Sequence, residues 1–221
     1  MSHPTHSDDE RNRLALLFAE ISSEAGVAVM DVYNSEFETR SKLDSSPVSD
    51  ADERAEEIIL ARLAKDLPGV PILAEEQASA DGLDHRRPGD LFLLVDPVDG
   101  TREFVNKRRD FTVNIGLISH GAPIAGCVYA PAHEAMFTGG AQAQMWNALK
   151  PGSPVEADAG VSIATRAYPD GGLTAVVSSS HLDEKTTKFL ERVPVEKRVS
   201  FGSSLKFCRI ASAEADVYPR W

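Results

Sequence analysis

The sequence predicts an α/β (α+β) fold in two subdomains, and three observations carry that prediction. Apolar residues recur at helical spacing over residues 7–34 and again over residues 50–67. Short apolar runs, above all Leu91 to Val95, fill the middle of the chain and read as strands. The last third alternates strand-like and helix-like segments, as in a layered α/β unit. With 221 residues and 42% hydrophobic content, the chain is long and apolar enough for a substantial core.

In the first helix, Leu14, Leu17, Phe18, Ile21, Val27 and Met30 mark the apolar stripe, with Ser7 or Asp8 as N-cap and Gly26 as a weak point. Residues 36–49 are polar, contain Pro47 and read as a loop. In the second helix Ala51, Ala55, Ile58, Ile59, Leu63 and Leu67 face inward, and Pro68-Gly69 ends it. Residues 70–74 form a short strand that runs into Glu75-Glu76, and residues 78–90 form a charged loop. Leu91 to Val95 reads as a buried strand that Pro97 stops, and Gly100 and Thr101 open a short helix. Residues 111–119 and 124–130 make a hairpin around His120-Gly121, followed by a strand over 135–139. The stretch 149–160, with two prolines and two glycines, separates an N-terminal α+β subdomain (1–150) from a C-terminal α/β subdomain (151–221). There the order is strand 173–179, helix 183–193, strand 195–201, helix 203–213 and strand 215–218.

A net charge of −11 argues against nucleic-acid binding, which needs a basic face to neutralise phosphates. An acidic protein that handles a phosphate ester instead needs metal ions to mediate the contact. Cys127 and Cys208 have neither CxxC nor zinc-ligand spacing and read as buried free thiols. The N-terminus has no apolar secretory core, and no apolar run is long enough to span a bilayer. The expectation is a cytoplasmic protein, with peripheral association at the inner membrane left open.

The chemistry concentrates in the carboxylates that follow strands. Asp96 and Asp99 come directly after an apolar strand and before Gly100-Thr101, where several acids in one place would repel one another without cations. Hard divalent ions such as Mg²⁺ want such oxygen ligands, and a shared carboxylate lets two ions clamp an in-line phosphoryl displacement. Glu75-Glu76, taken alone, reads as solvated loop charge as readily as a ligand pair. Asp52, in the first turn of its helix, reads as a cap or as a site acid. His181, Ser203, Lys206 and Arg220 are candidate phosphate or nucleotide anchors, with ordinary surface roles as the alternative. Ser203 and Lys206 would share a face of a helix that starts near Ser203. The run Lys107-Arg108-Arg109 reads as a solvated loop.

These motifs resemble a known family. ILAEE (72–76), DPVDGTREFV (96–105), FTVNIGLI (111–118) and GSSLKFC (202–208), with SPVSDAD (46–52), are similar to the inositol monophosphatase superfamily of metal- and lithium-sensitive phosphatases. SSSH (178–181), GSSLKFC and DVYPR (216–220) resemble more narrowly its 3′(2′),5′-bisphosphate nucleotidase branch. The resemblance implies a layered αβαβα sugar-phosphatase fold. It implies that Glu75, Asp96 and the Val98 carbonyl bind one Mg²⁺, that Asp96 and Asp99 share a second, and that Glu75 with waters offers a third, weakest position. It implies that Thr101, Asp52 and Glu76 orient and deprotonate the attacking water. Glu75, Val98, Asp99, Gly100, Thr101, His181, Ser203, Lys206 and Arg220 would bind substrate. The helix that starts at Gly100-Thr101 would present N–H groups to the scissile phosphate.

The activity so implied is Mg²⁺-dependent hydrolysis of adenosine 3′,5′-bisphosphate to AMP and phosphate, which clears a by-product of sulfate activation. An inositol or other sugar-phosphate phosphatase is the alternative within the class, and a non-catalytic metal- or nucleotide-binding protein the alternative outside it. The partner expected is a small phosphorylated nucleotide, with neither nucleic acid nor an integral membrane segment, and the family offers a homodimer. It also implies a Trp-Asp segment after residue 220, whose Asp completes the second metal site, and then a closing helix and strand.

Overall fold

The computed structural model describes residues 6–35, 39–41, 47–75, 89–178 and 183–220. Helix α1 (Asp8–Asn34) starts at Ser7, whose side chain accepts from the Glu10 N–H and satisfies one of the orphan donors of the first turn. Its buried stripe runs through Leu14, Phe18, Ile21, Ala25, Val29 and Val32, whereas Val27 is exposed on the far side. Gly26 does not interrupt the helix. A Cβ there would lie 2.6 Å from the Tyr129 ring, so the missing side chain lets helix and sheet approach.

The segment expected as a loop after α1 contains two short paired strands, β1 (Thr39–Ser41) and β2 (Pro47–Ser49). Helix α2 (Asp50–Asp66) buries Ala51, Ala55, Ile59 and Leu63, with Ile58 and Leu67 partly covered. Helices α1 and α2 pack together over one face of a seven-stranded sheet. Its order is β3 (Ile72–Ala74), β4 (Leu91–Asp99), β5 (Thr112–Ser119), β6 (Ala122–Ala130), β7 (Ala135–Gly139), β8 (Ala143–Trp146) and β9 (Val161–Ser162). β3 and β4 are parallel, and every later pair is antiparallel. The β5–β6 hairpin turns at His120 and Gly121, both with positive φ (51° and 80°), the backbone of a primed two-residue turn.

The second, two-stranded sheet pairs β10 (Leu173–Ser178) with β11 (Val195–Phe201) in parallel. The crossover carries helix α4 (Glu184–Leu190), capped by Asp183 onto the Thr186 N–H at 2.8 Å. Helix α5 (Leu205–Ala211) follows β11 and packs on β6 and β10. The expected strand at 215–218 reduces to a single parallel bridge between Val217 and Ala175.

Two expectations around β4 are corrected. The strand does not stop at Pro97 but continues to Asp99, and the strain appears as a register shift between Asp96 and Asp99. Nor is the apolar run buried throughout. Leu93 and Val95 enter the helix-covered core, while Leu94 is 43% exposed on the other face, as strand alternation requires. The basic run is an exposed loop, as expected, and two of its side chains are tied to neighbouring carbonyls. The Lys107 ammonium donates to the carbonyls of Tyr33 and Ser35, and Arg109 donates to the Ala132 carbonyl. Both cysteines are buried and free, as expected. Among the described residues no helix is long and apolar enough to cross a membrane.

Candidate active site

The acids meet because of the irregularity in β4. Asp96 is opposite Asn114 and Asp99 opposite Thr112, so four residues of β4 span three of β5. In a regular strand, residues three apart point to opposite faces. The one-residue bulge restores the parity, and Asp96 and Asp99 project to the same face as Asn114 and Thr112. Pro97 sits inside the bulge, where its missing N–H interrupts little of the ladder.

Around this corner other groups converge. Asp52 is buried in the first turn of α2, and it and Glu75, just after β3, both act electrostatically on Asp96. Burial, reinforced by Asp99, Glu75 and Asp52, pushes the Asp96 carboxyl up to about 9. Asp99 is also raised by burial, but less freely, since the Ser204 N–H donates to its Oδ2 at 2.6 Å and Asn114 and Lys206 favour its charged form. Asp96 Oδ1 is buried without a hydrogen-bond partner. The Thr101 hydroxyl donates to the Val98 carbonyl at 3.2 Å, which leaves that oxygen a second lone pair.

Helix α3 (Thr101–Val105) begins after Gly100, whose left-handed backbone (φ 93°) suits glycine, and a Cβ there would meet the Asp110 carbonyl at 2.9 Å. With five residues, α3 contributes N–H groups rather than a full macrodipole. Asp110 in turn fastens the turn before α5. Its carboxylate accepts from His133 Nε2 at 2.9 Å and from the Gly202 N–H at 3.2 Å.

Ser203, Lys206 and Arg220 line one cavity of about 450 Å³ together with Asp99, Ser204, Phe207 and Tyr218. Contrary to expectation, Ser203 is not on the helix. It precedes α5 in a left-handed conformation (φ 47°), and its hydroxyl accepts from the Leu205 N–H. Lys206 is buried, its ammonium donating to the Ser203 carbonyl and lying 5.6 Å from the Tyr218 ring centre. Burial lowers its pKa, Asp99 and Glu103 oppose that, and Arg220 adds to it. Glu76 and His181 lie outside the described residues.

The residues fit a hard divalent cation. A desolvated carboxylate with an unpartnered oxygen, beside a second carboxylate and a carbonyl oxygen with a spare lone pair, is a donor set of hard oxygens. Among the described residues no three His, Cys, Asp or Glu side chains form a cage by themselves, so carbonyl and water oxygens would complete the coordination. The sequence reading missed Ser204, which touches Asp99, Asn114 and Thr112 at once. Its only sequence signal is its place beside Ser203.

A sequence model of the Inositol monophosphatase family matches residues 10–221. The chain belongs to the inositol monophosphatase family. It is 36% identical over 204 residues to the 3′(2′),5′-bisphosphate nucleotidase CysQ of Escherichia coli (strain K12), covering 91% of this chain and 78% of that protein. The CysQ of Buchnera aphidicola is 35% identical over 204 residues, 91% of this chain and 73% of its own. Among solved structures, CysQ from Bacteroides thetaiotaomicron superimposes with a TM-score of 0.74 at 29% identity, covering 95% of this chain and 80% of that one. The suhB protein of Bartonella henselae shares the fold, with a TM-score of 0.71 at 23% identity over 93% of this chain and 77% of its own. Membership in the inositol monophosphatase family makes the chain a phosphoric monoester hydrolase.

Proposed function

We propose that the protein is a Mg²⁺-dependent 3′(2′),5′-bisphosphate nucleotidase that converts adenosine 3′,5′-bisphosphate to AMP and phosphate. The observation that carries this reading is a juxtaposition. A desolvated acidic corner, Asp96 and Asp99, opens beside a cavity lined by Lys206 and Arg220. A monophosphate needs only the first, whereas a bisphosphate also needs cations for the phosphate that stays. The likeness to CysQ nucleotidases supports the same choice.

Asp96, Asp99, Glu75 and the Val98 carbonyl would hold two Mg²⁺ ions, with Glu75 and waters offering a third position. When bound, Mg²⁺ supplies Lewis acidity to the phosphoryl oxygens and acidifies water. Thr101, Asp52 and Glu76 would orient that water and take its proton, with Thr101 held by its bond to the Val98 carbonyl. Gly100 and Thr101 N–H groups would bind the transferring phosphoryl oxygens. Ser203, Lys206, Arg220 and His181 would bind the nucleotide, Arg220 suited to a bidentate phosphate contact. The acids would thus come from the N-terminal subdomain and the cations from the C-terminal one.

Steady-state phosphate release with Mg²⁺ compares adenosine 3′,5′-bisphosphate with inositol 1-phosphate. The proposal expects a much higher kcat/KM for the bisphosphate. A preference for inositol 1-phosphate would assign the site to the sugar-phosphate phosphatases, and hydrolysis of neither would point to a binding protein.

A further inference from the structure

Ser204 stands immediately before α5, in the position where a serine hydroxyl ordinarily accepts from the backbone N–H groups of its own helix. Here it makes no such bond, and Ser203 accepts from the Leu205 N–H instead. The Ser204 hydroxyl is spent across the sheet. It donates to Asn114 Oδ1 at 2.9 Å and lies 2.8 Å from Thr112 Oγ1. A hydroxyl has one proton to give, so the Thr112 hydroxyl must be the donor in the second contact. With Asn114 Oδ1 occupied, the amide nitrogen is turned to Asp99, to which Asn114 is hydrogen-bonded. The bonds run in one direction, from Thr112 to Ser204 to Asn114 to Asp99. The backbone N–H of Ser204 closes the loop on Asp99 Oδ2 at 2.6 Å.

We infer that Ser204 is a positioning residue for the acidic corner: its hydroxyl fixes the Asn114 amide, and through it the Asp99 carboxylate, in the orientation that receives a divalent cation. Asp99 is the last residue of β4, paired with Thr112 after the bulge, and its carboxylate takes its orientation from partners outside β4. Outer partners of this kind orient ligands for metals. The inference rests on the proposed metal-dependent activity and concerns the orientation of the ligand Asp99.

The test uses Ser204→Ala, which removes the hydroxyl and keeps the N–H to Asp99. Calorimetric titration of the metal-free chain with Mg²⁺ should show affinity reduced by about tenfold or more, within the range that outer-shell partners command. The melting temperature without metal should fall by only several degrees, the cost of unpairing Thr112 and Asn114, so the chain stays folded. Ser204→Thr should restore most of the affinity. In an Asn114→Ala background, Ser204→Ala should add little, because the two act in series. Wild-type Mg²⁺ affinity in Ser204→Ala, or full additivity with Asn114→Ala, would overturn the inference while the proposed function stands. A wild-type chain that neither binds Mg²⁺ nor releases phosphate would overturn the proposed function as well.

Discussion

Asp96 has a consequence for stability that can be read from its surroundings. Its carboxyl titrates near 3.8 when exposed and near 9 in the fold, where burial and three neighbouring acids disfavour the charge. A raised folded value means that the group's contribution is fully present below the unfolded value and lost as pH rises toward about 9. At pH 8 the metal-free protein therefore carries an unfavourable site, and Asp96→Asn removes it. Thermal melts in EDTA at pH 8 should show that variant more stable by about 3 °C or more, the shift that about 1 kcal/mol produces at this chain length. An unchanged or lower melting temperature would mean that Asp96 is not so strained. At this scale the meeting of Asp96 and Asp99 at the end of β4 was legible, because an apolar strand there delivers two acids to a Gly-Thr turn. Ser204 was not legible. Two adjacent serines look alike in sequence, and only the left-handed backbone at Ser203 decides which hydroxyl crosses to Asn114.

Among the elements, the two long helices and the central strands followed their periodicity, since each has one large apolar face. What escaped were segments too short to show a period of their own. β1, β2, β8 and β9 have two to four residues each and exist because a neighbouring strand offers hydrogen bonds. Pro97 misled for a related reason. Proline excludes a regular central strand, but here it occupies the bulge that brings Asp96 and Asp99 onto one face. Gly26 was read as a weak point in α1, whereas its value lies in the contact with Tyr129. Gly26→Val should accordingly cost about 1–3 kcal/mol through overpacking, despite valine's better helix propensity. Chemical denaturation measures this, and wild-type stability would show that helix and sheet can separate there at no cost.

For the molecule as a whole, one face of the seven-stranded sheet is sealed by α1 and α2, and the carboxylates project from the other, toward the turn before α5. That turn is gripped from two sides, by Asp110 on Gly202 and by Asp99 on Ser204. The site therefore forms only when the sheet and the α5 unit are correctly docked, which a local reading of either segment does not reveal. The central claim is that Asp99 serves catalysis rather than this docking alone. The most direct measurement is kcat of Asp99→Asn on adenosine 3′,5′-bisphosphate with saturating Mg²⁺, alongside its melting temperature. A fall of more than about 100-fold, beyond what outer-shell partners command, with the fold retained is the result expected. Near-normal turnover in a folded Asp99→Asn protein would contradict it.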